Sequence, residues 1–133
     1  MEQILKIEHI ALNVAQASNI AQWYVEHLGL TIVRDVGDAN QTTFLADDKG
    51  HTVIELYSNP IAEVPDYAAT SPYNLHIAFA VDDIDHERQR LIAADATQEG
   101  DTQVLPNGDK LAFIRDPWGL TIQLTERTKP LLG

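Results

Sequence analysis

The sequence predicts an α+β fold: two β-α-β-β-β modules that pair, each laying an underfilled sheet face over a cavity. Three observations lead there. KIEHIALNV (residues 6–14) and NLHIAFAV (residues 74–81) repeat one phrase, each with a histidine directly ahead of Ile-Ala. Each phrase is followed by one helical stretch and three strand-like runs, so the same element order occurs twice. The polar landmarks keep their spacing: His9 to His76 spans 67 positions, and Glu55 to Gln123 spans 68.

In the first module, residues 6–14 read as a strand and QASNIAQWYVEH (residues 16–27) as a helix. Ser18 or Asn19 suits its start, and Gly29 suits the left-handed position past its end. Ile20, Trp23 or Tyr24, and His27-Leu28 recur at helical spacing, which buries one face. Residues 30–36, 41–46 and 52–57 read as strands, separated by GDAN and DDKG turns. Residues 58–73 carry Pro60, Pro65 and Pro72 and form a connecting segment. The order then restarts with a strand at 74–81 and a helix over IDHERQRLIAAD, capped by Asp82 or Asp83. Strands follow at 97–104, 110–115 and 120–125, with PNGD and DPWG as turns. The modules are therefore residues 1–57 and 74–125 of one structural domain. The tail, residues 126–133, is expected to be exposed and partly mobile.

The chain has 133 residues, 44% hydrophobic and 22% charged, the balance of a water-soluble globular protein. No apolar run reaches the roughly 20 residues that span a bilayer. MEQILKIEHI lacks the basic start and apolar stretch of a signal peptide, so a cytoplasmic protein without a membrane partner is expected. The net charge of −11 argues against nucleic acid, whose binding rests on Lys and Arg at phosphates. It suits a cationic small molecule, although acidity also serves plain solubility. With no cysteine, disulfides and thiolate chemistry are excluded, and any metal must be held by His, carboxylate or amide oxygen.

Side chains alternate faces along a strand. Ile10, Leu12 and Val14 share one face of the first strand, and His9, Ala11 and Asn13 share the other. The second copy places Ile77, Phe79 and Val81 opposite His76, Ala78 and Ala80. Ile54 and Leu56 oppose Glu55 and Tyr57; Ile122 and Leu124 oppose Gln123. The large aliphatics thus take the helix-packed face. The other face is small and polar, too underfilled for a core and suited to line a cavity. A single strand histidine is usually a hydrogen-bonded structural residue. Four metal-competent side chains at equivalent positions, in a chain with five histidines, point instead to metal or ligand chemistry.

Taken together, IEHIALNV with WYVEHLGL, GHTVIEL, NLHIAFAV with DDID, and FIRDPWGLTIQL resemble the vicinal oxygen chelate superfamily. That superfamily includes glyoxalase I, extradiol dioxygenases, methylmalonyl-CoA epimerases, and the fosfomycin- and bleomycin-resistance proteins. The resemblance runs from about residue 7 to residue 125. It implies a glyoxalase-like architecture in which the paired modules form a curved mixed sheet around a metal centre. It also implies a divalent metal (Fe, Zn, Ni or Mn) held by His9, Glu55 and His76, with Gln123 where glyoxalase I has Glu. A homodimer and a small substrate with vicinal oxygens are implied as well.

Two His and one carboxylate leave open positions on the metal for a chelating substrate. Isomerisation or epimerisation needs a base for a carbon-bound proton, which an amide is not. Glu55 must therefore serve as ligand and base, or Tyr57 or a metal-bound hydroxide must help, and glyoxalase-like lyase or isomerase chemistry is the leading expectation. Gln123 weighs against the glutathione-dependent reaction, as does the lack of a basic cluster for glutathione or coenzyme A. An extradiol-type dioxygenase with Fe(II) is the first alternative, with His51 or Tyr57 as acid-base group. A metal-free drug-binding protein is the second, with Trp23, Tyr24, Tyr57, Tyr67, Tyr73 and Trp118 as aromatic candidates. His27 and His86 read as helix surface or packing residues. Asp82, Asp83 and Asp85 read as a capped helix start.

Overall fold

The computed structural model describes residues 3–50 and 52–132. Strand β1 (Ile10–Asn13) leads into helix α1 (Ala17–Leu28), then β2 (Thr31–Asp35), β3 (Thr43–Ala46) and β4 (Val53–Tyr57). A 3-10 turn at Tyr67–Ala69 precedes β5 (Ile77–Ala80), α2 (Ile84–Ala93), β6 (Thr97–Val104), β7 (Lys110–Arg115) and β8 (Thr121–Glu126). The expected order is present twice. The chain divides into two compact units, one up to Pro65 and one from Asp66, so the connecting segment is shared between them.

Each unit is a four-stranded mixed sheet, ordered β1-β4-β3-β2 in the first and β5-β8-β7-β6 in the second. β1 runs parallel to β4 and β5 parallel to β8, and the remaining pairs are antiparallel. The α crossover between β1 and β2 is what lets the outer strand lie parallel. In the first unit Val14, Ile20, Tyr24, Leu45 and Leu56 are fully buried; in the second, Ile84, Leu91, Ile114, Ile122 and Leu124 are. The helix-packed faces are therefore the aliphatic faces of the alternation. Burying each such side chain contributes roughly 1.5–3 kcal/mol.

Three local expectations need correction. Both first strands are shorter than their sequence runs: pairing starts at Ile10, opposite Ile54, and at Ile77, opposite Ile122. His9 and His76 thus stand one residue ahead of a strand rather than inside it. Neither Ser18 nor Asn19 caps α1, which starts at Ala17 after Gln16. Its first amides are satisfied from elsewhere in the unit: Ala17 N–H donates to Ser58 Oγ and Ser18 N–H to Gln41 Oε1, both at 3.0 Å. The start of the tail is tied down, because Thr128 N–H and Oγ–H donate to Asp109 Oδ1 and Arg127 donates to Asp109 Oδ2.

Other expectations hold. Gly29 takes the left-handed conformation, φ 73°, and its N–H donates to Tyr24 O. Asp83 caps α2 by accepting from His86 N–H. Among the described residues, no helix is long and apolar enough to cross a membrane.

Candidate functional site

Register defines a row of side chains across each open sheet face. In the first unit it runs Ala11, Glu55, Phe44, Arg34 through β1, β4, β3 and β2. In the second it runs Ala78, Gln123, Phe113, Glu99 through β5, β8, β7 and β6. Two residues before each alanine, and so on the same side of the chain, comes His9 or His76. The duplication is therefore a duplication of one sheet face.

His9 and Glu55 come together, with Nε2 3.4 Å from Oε1. That is longer than a strong hydrogen bond. On its other side the His9 Nδ1 stands 2.8 Å from Glu8 Oε1, a contact that places a hydrogen on Nδ1. In the second unit the His76 Nδ1 is 2.8 Å from Pro72 O. A carbonyl only accepts, so Nδ1 carries the hydrogen there too. Both rings rest edge-on against a phenylalanine: His9 on Phe44 at 5.6 Å and His76 on Phe113 at 5.2 Å between centroids. These contacts limit ring rotation and fix where each Nε2 points.

Gln123 lies opposite Ala78 and Phe113 and is half-buried. Tyr57 follows Glu55 by two residues on the same face and is opposite Asn13. Asn13 itself is structural: its amide donates to Asn59 O and Ala62 O, and its Oδ1 accepts from Asn59 N–H. His51 lies outside the described residues. Among the described residues no three His, Asp or Glu side chains stand close enough to hold a metal ion. The first unit brings His9 and Glu55 together; in the second, His76 rests on Phe113, the residue opposite Gln123.

The carboxylates held below their ordinary range lie elsewhere. Asp38 is lowered by hydrogen bonds from Thr42 N–H and Oγ–H. Asp109 is lowered to about 2, chiefly by the Thr128 N–H and further by Arg127, against the opposing effect of burial. Both brace turns.

Sequence reasoning passed over Phe44 and Phe113. They are 69 positions apart, nearly the spacing of the donors, and that recurrence was the available signal. It noted Arg115 only within the FIRDPWG motif, and not that its guanidinium donates to Tyr67 O, Gly119 O, Thr121 Oγ1 and Thr70 O and pairs with Glu99. Arg115 thereby ties the 3-10 turn and the Thr70 end of the loop to the sheet, and that loop continues to Pro72, the His76 acceptor. Beside Phe113 opens a groove of about 260 Å³, whose lining includes Tyr73, Glu99, Asp101, Gln103 and Leu111.

Comparison with known proteins agrees with this fold. Several solved structures share the fold. A glyoxalase family protein from Bacillus cereus is 22% identical, with a TM-score of 0.76, covering 94% of this chain and 95% of that one. A glyoxalase family protein from Enterococcus faecalis is 26% identical, with a TM-score of 0.67 over 91% and 97%. An antibiotic-binding protein from Streptomyces sp. CB03234 is 18% identical, with a TM-score of 0.70 over 96% and 100%. A search of curated proteins gives no match. The family model for the Glyoxalase/Bleomycin resistance protein/Dioxygenase superfamily matches residues 6–124, and the chain belongs to that superfamily.

Proposed function

We propose that the protein is a metal-dependent enzyme of the lyase or isomerase class, acting on a small substrate with two adjacent oxygens. A divalent cation (Fe, Zn, Ni or Mn) is held by His9, Glu55 and His76, with the Gln123 amide oxygen as fourth donor. The His9–Glu55 separation of 3.4 Å carries this reading. Two donors on one cation, each at about 2.1 Å, stand about 3.0–3.4 Å apart. The Nδ1 contacts of both imidazoles support it, since metal-binding histidines commonly donate that N–H to a carboxylate or carbonyl.

When bound, the cation supplies Lewis-acid polarisation of the substrate oxygens. Glu55 would accept the carbon-bound proton and return it to the substrate, while Tyr57, on the same strand face, would donate a hydrogen bond to a substrate oxygen. Gln123 adds no charge and takes no proton; it orients. Phe44 and Phe113 hold the imidazoles and keep water from their flanks.

A homodimer completes the proposal. β1 and β5 are outer strands of their sheets, and Ile4, Leu5, Ile7 and Ile10, in and just before β1, are 57–86% exposed. Such an edge is normally covered. The test is metal analysis after reconstitution, wild type beside His76→Ala. One metal per chain that is lost in the variant supports an enzyme. Unchanged anaerobic turnover then separates lyase or isomerase chemistry from oxygen-consuming cleavage of catechols.

The groove beside Phe113 favours a second reading, sequestration of a cationic aromatic ligand between Tyr73 and the Asp101 carboxylate. A wild type that takes up no metal under reconstituting conditions moves the assignment there.

A further inference from the structure

The two rows differ most at their outer ends. Where the second unit has Glu99, neutralised by Arg115 at 3.2 Å, the first has Arg34. Arg88, Arg90, Arg115 and Arg127 each pair with a carboxylate. Among the described residues Arg34 has no such pair, in a chain with 20 acidic and nine basic residues. Its placement is not that of a plain strand residue. Ile32 is opposite Leu45, but Arg34 is opposite Phe44, so Val33 is an extra residue in the ladder. Without this bulge Arg34 would share the face of Ile32, two residues before it. With it, Arg34 joins the face of Phe44, Glu55 and Ala11. Bulges next to active sites commonly re-aim a side chain in this way.

We infer that Arg34 is the anion-recognising residue of this face, and that the ligand is a small molecule bearing a carboxylate or phosphate beside its metal-chelating oxygens. Two strand spacings, about 10 Å, separate the Arg34 and Glu55 backbones. A guanidinium reaching back over Phe44 meets a group carried by a ligand the size of a hydroxybenzoate. Phe44 offers the ligand's body an apolar surface, and the planar fork of arginine fits a carboxylate in bidentate fashion. The inference rests on the metal half-site proposed above for its chelating end, while its anionic end stands on Arg34 alone.

The experiment compares 3,4-dihydroxybenzoate with catechol, which differ by one carboxylate. Binding is measured by titration calorimetry on wild type, Arg34→Gln and Arg34→Lys, each with its metal content determined. The expected result is a preference of roughly tenfold for the carboxylate-bearing probe in wild type. It is abolished in Arg34→Gln, partly kept in Arg34→Lys, and accompanied by unchanged metal content. A preference that survives in Arg34→Gln overturns the inference. Equal binding of both probes by metal-loaded wild type also overturns it and leaves the metal assignment standing. If wild type takes up no metal, that assignment fails separately, and the Arg34 Nε–H resonance is followed in the metal-free protein. A shift with 3,4-dihydroxybenzoate and not with catechol upholds the inference; no shift overturns it.

Discussion

Asp109 ends the PNGD turn between β6 and β7, is 6% exposed, and collects donors from Thr128, Arg127 and Asn107. These hydrogen bonds favour its ionised form, which lowers its folded-state pKa to about 2 from an ordinary value of 3.8. A carboxyl whose pKa is depressed by folding stabilises the fold fully above the unfolded value, and that contribution is lost as pH falls through the folded value. Asp109→Asn is therefore expected to unfold at a lower temperature than wild type at pH 7. The gap should narrow below about pH 4 and close near pH 2. Thermal unfolding followed across that range checks it; a gap independent of pH refutes the ionic role. The same residue shows what a linear reading misses. PNGD is a recognisable turn, but the partners that make its aspartate a clasp lie 18 and 19 positions away.

At the scale of elements, the last turn and the 3-10 turn pack where only glycine fits. Gly119 has φ +91°, and a Cβ there would lie 2.7 Å from Ala68 Cβ and 2.9 Å from the Ala68 backbone. Gly29 has φ +73° but open space around it. Gly119→Ala combines left-handed strain with a clash and should cost roughly 2 kcal/mol or more. Gly29→Ala carries the strain alone, about 1 kcal/mol. Urea midpoints should rank the variants in that order, and a reversal would show that the 3-10 turn shifts freely. Element order, the helix-packed aliphatic faces, the Gly29 and Asp83 caps and the turns were legible because each is set by neighbours within a few residues. The first strands were overextended because Lys6–His9 alternates like a strand yet has no partner strand beside it in the described ladder. The α1 cap was misassigned because its acceptors, Ser58 and Gln41, come from distant loops. The proposed donors His9, Glu55, His76 and Gln123 were suggested by the duplication, whereas the face that Arg34 takes stayed hidden. A bulge changes which face a residue takes, and alternation counted along the chain cannot register it.

For the whole molecule, the proposed metal site raises the question of how its candidate donors are drawn together. Each unit presents one half of the proposed ligand set, and the exposed apolar stretch beside β1 calls for a second copy to cover it. A self-associating chain with two-fold symmetry builds each site twice, from the same pair of surfaces. The expected species in light scattering is thus a dimer of the 14.8 kDa chain. Complementation tests how its sites are composed. His9→Ala and His76→Ala each remove one imidazole from every site, so either variant alone should hold little metal. If His9 of one copy meets His76 of the other, a mixed dimer carries one site missing both histidines and one site fully intact. Random mixing after co-refolding then restores about a quarter of the wild-type metal, because half the dimers are mixed and each regains one of two sites. We expect that restoration. If the co-refolded mixture binds no more metal than the separate variants, each site draws its histidines from a single chain. If either variant alone keeps the full complement, that histidine is not a ligand and the proposed donor set fails.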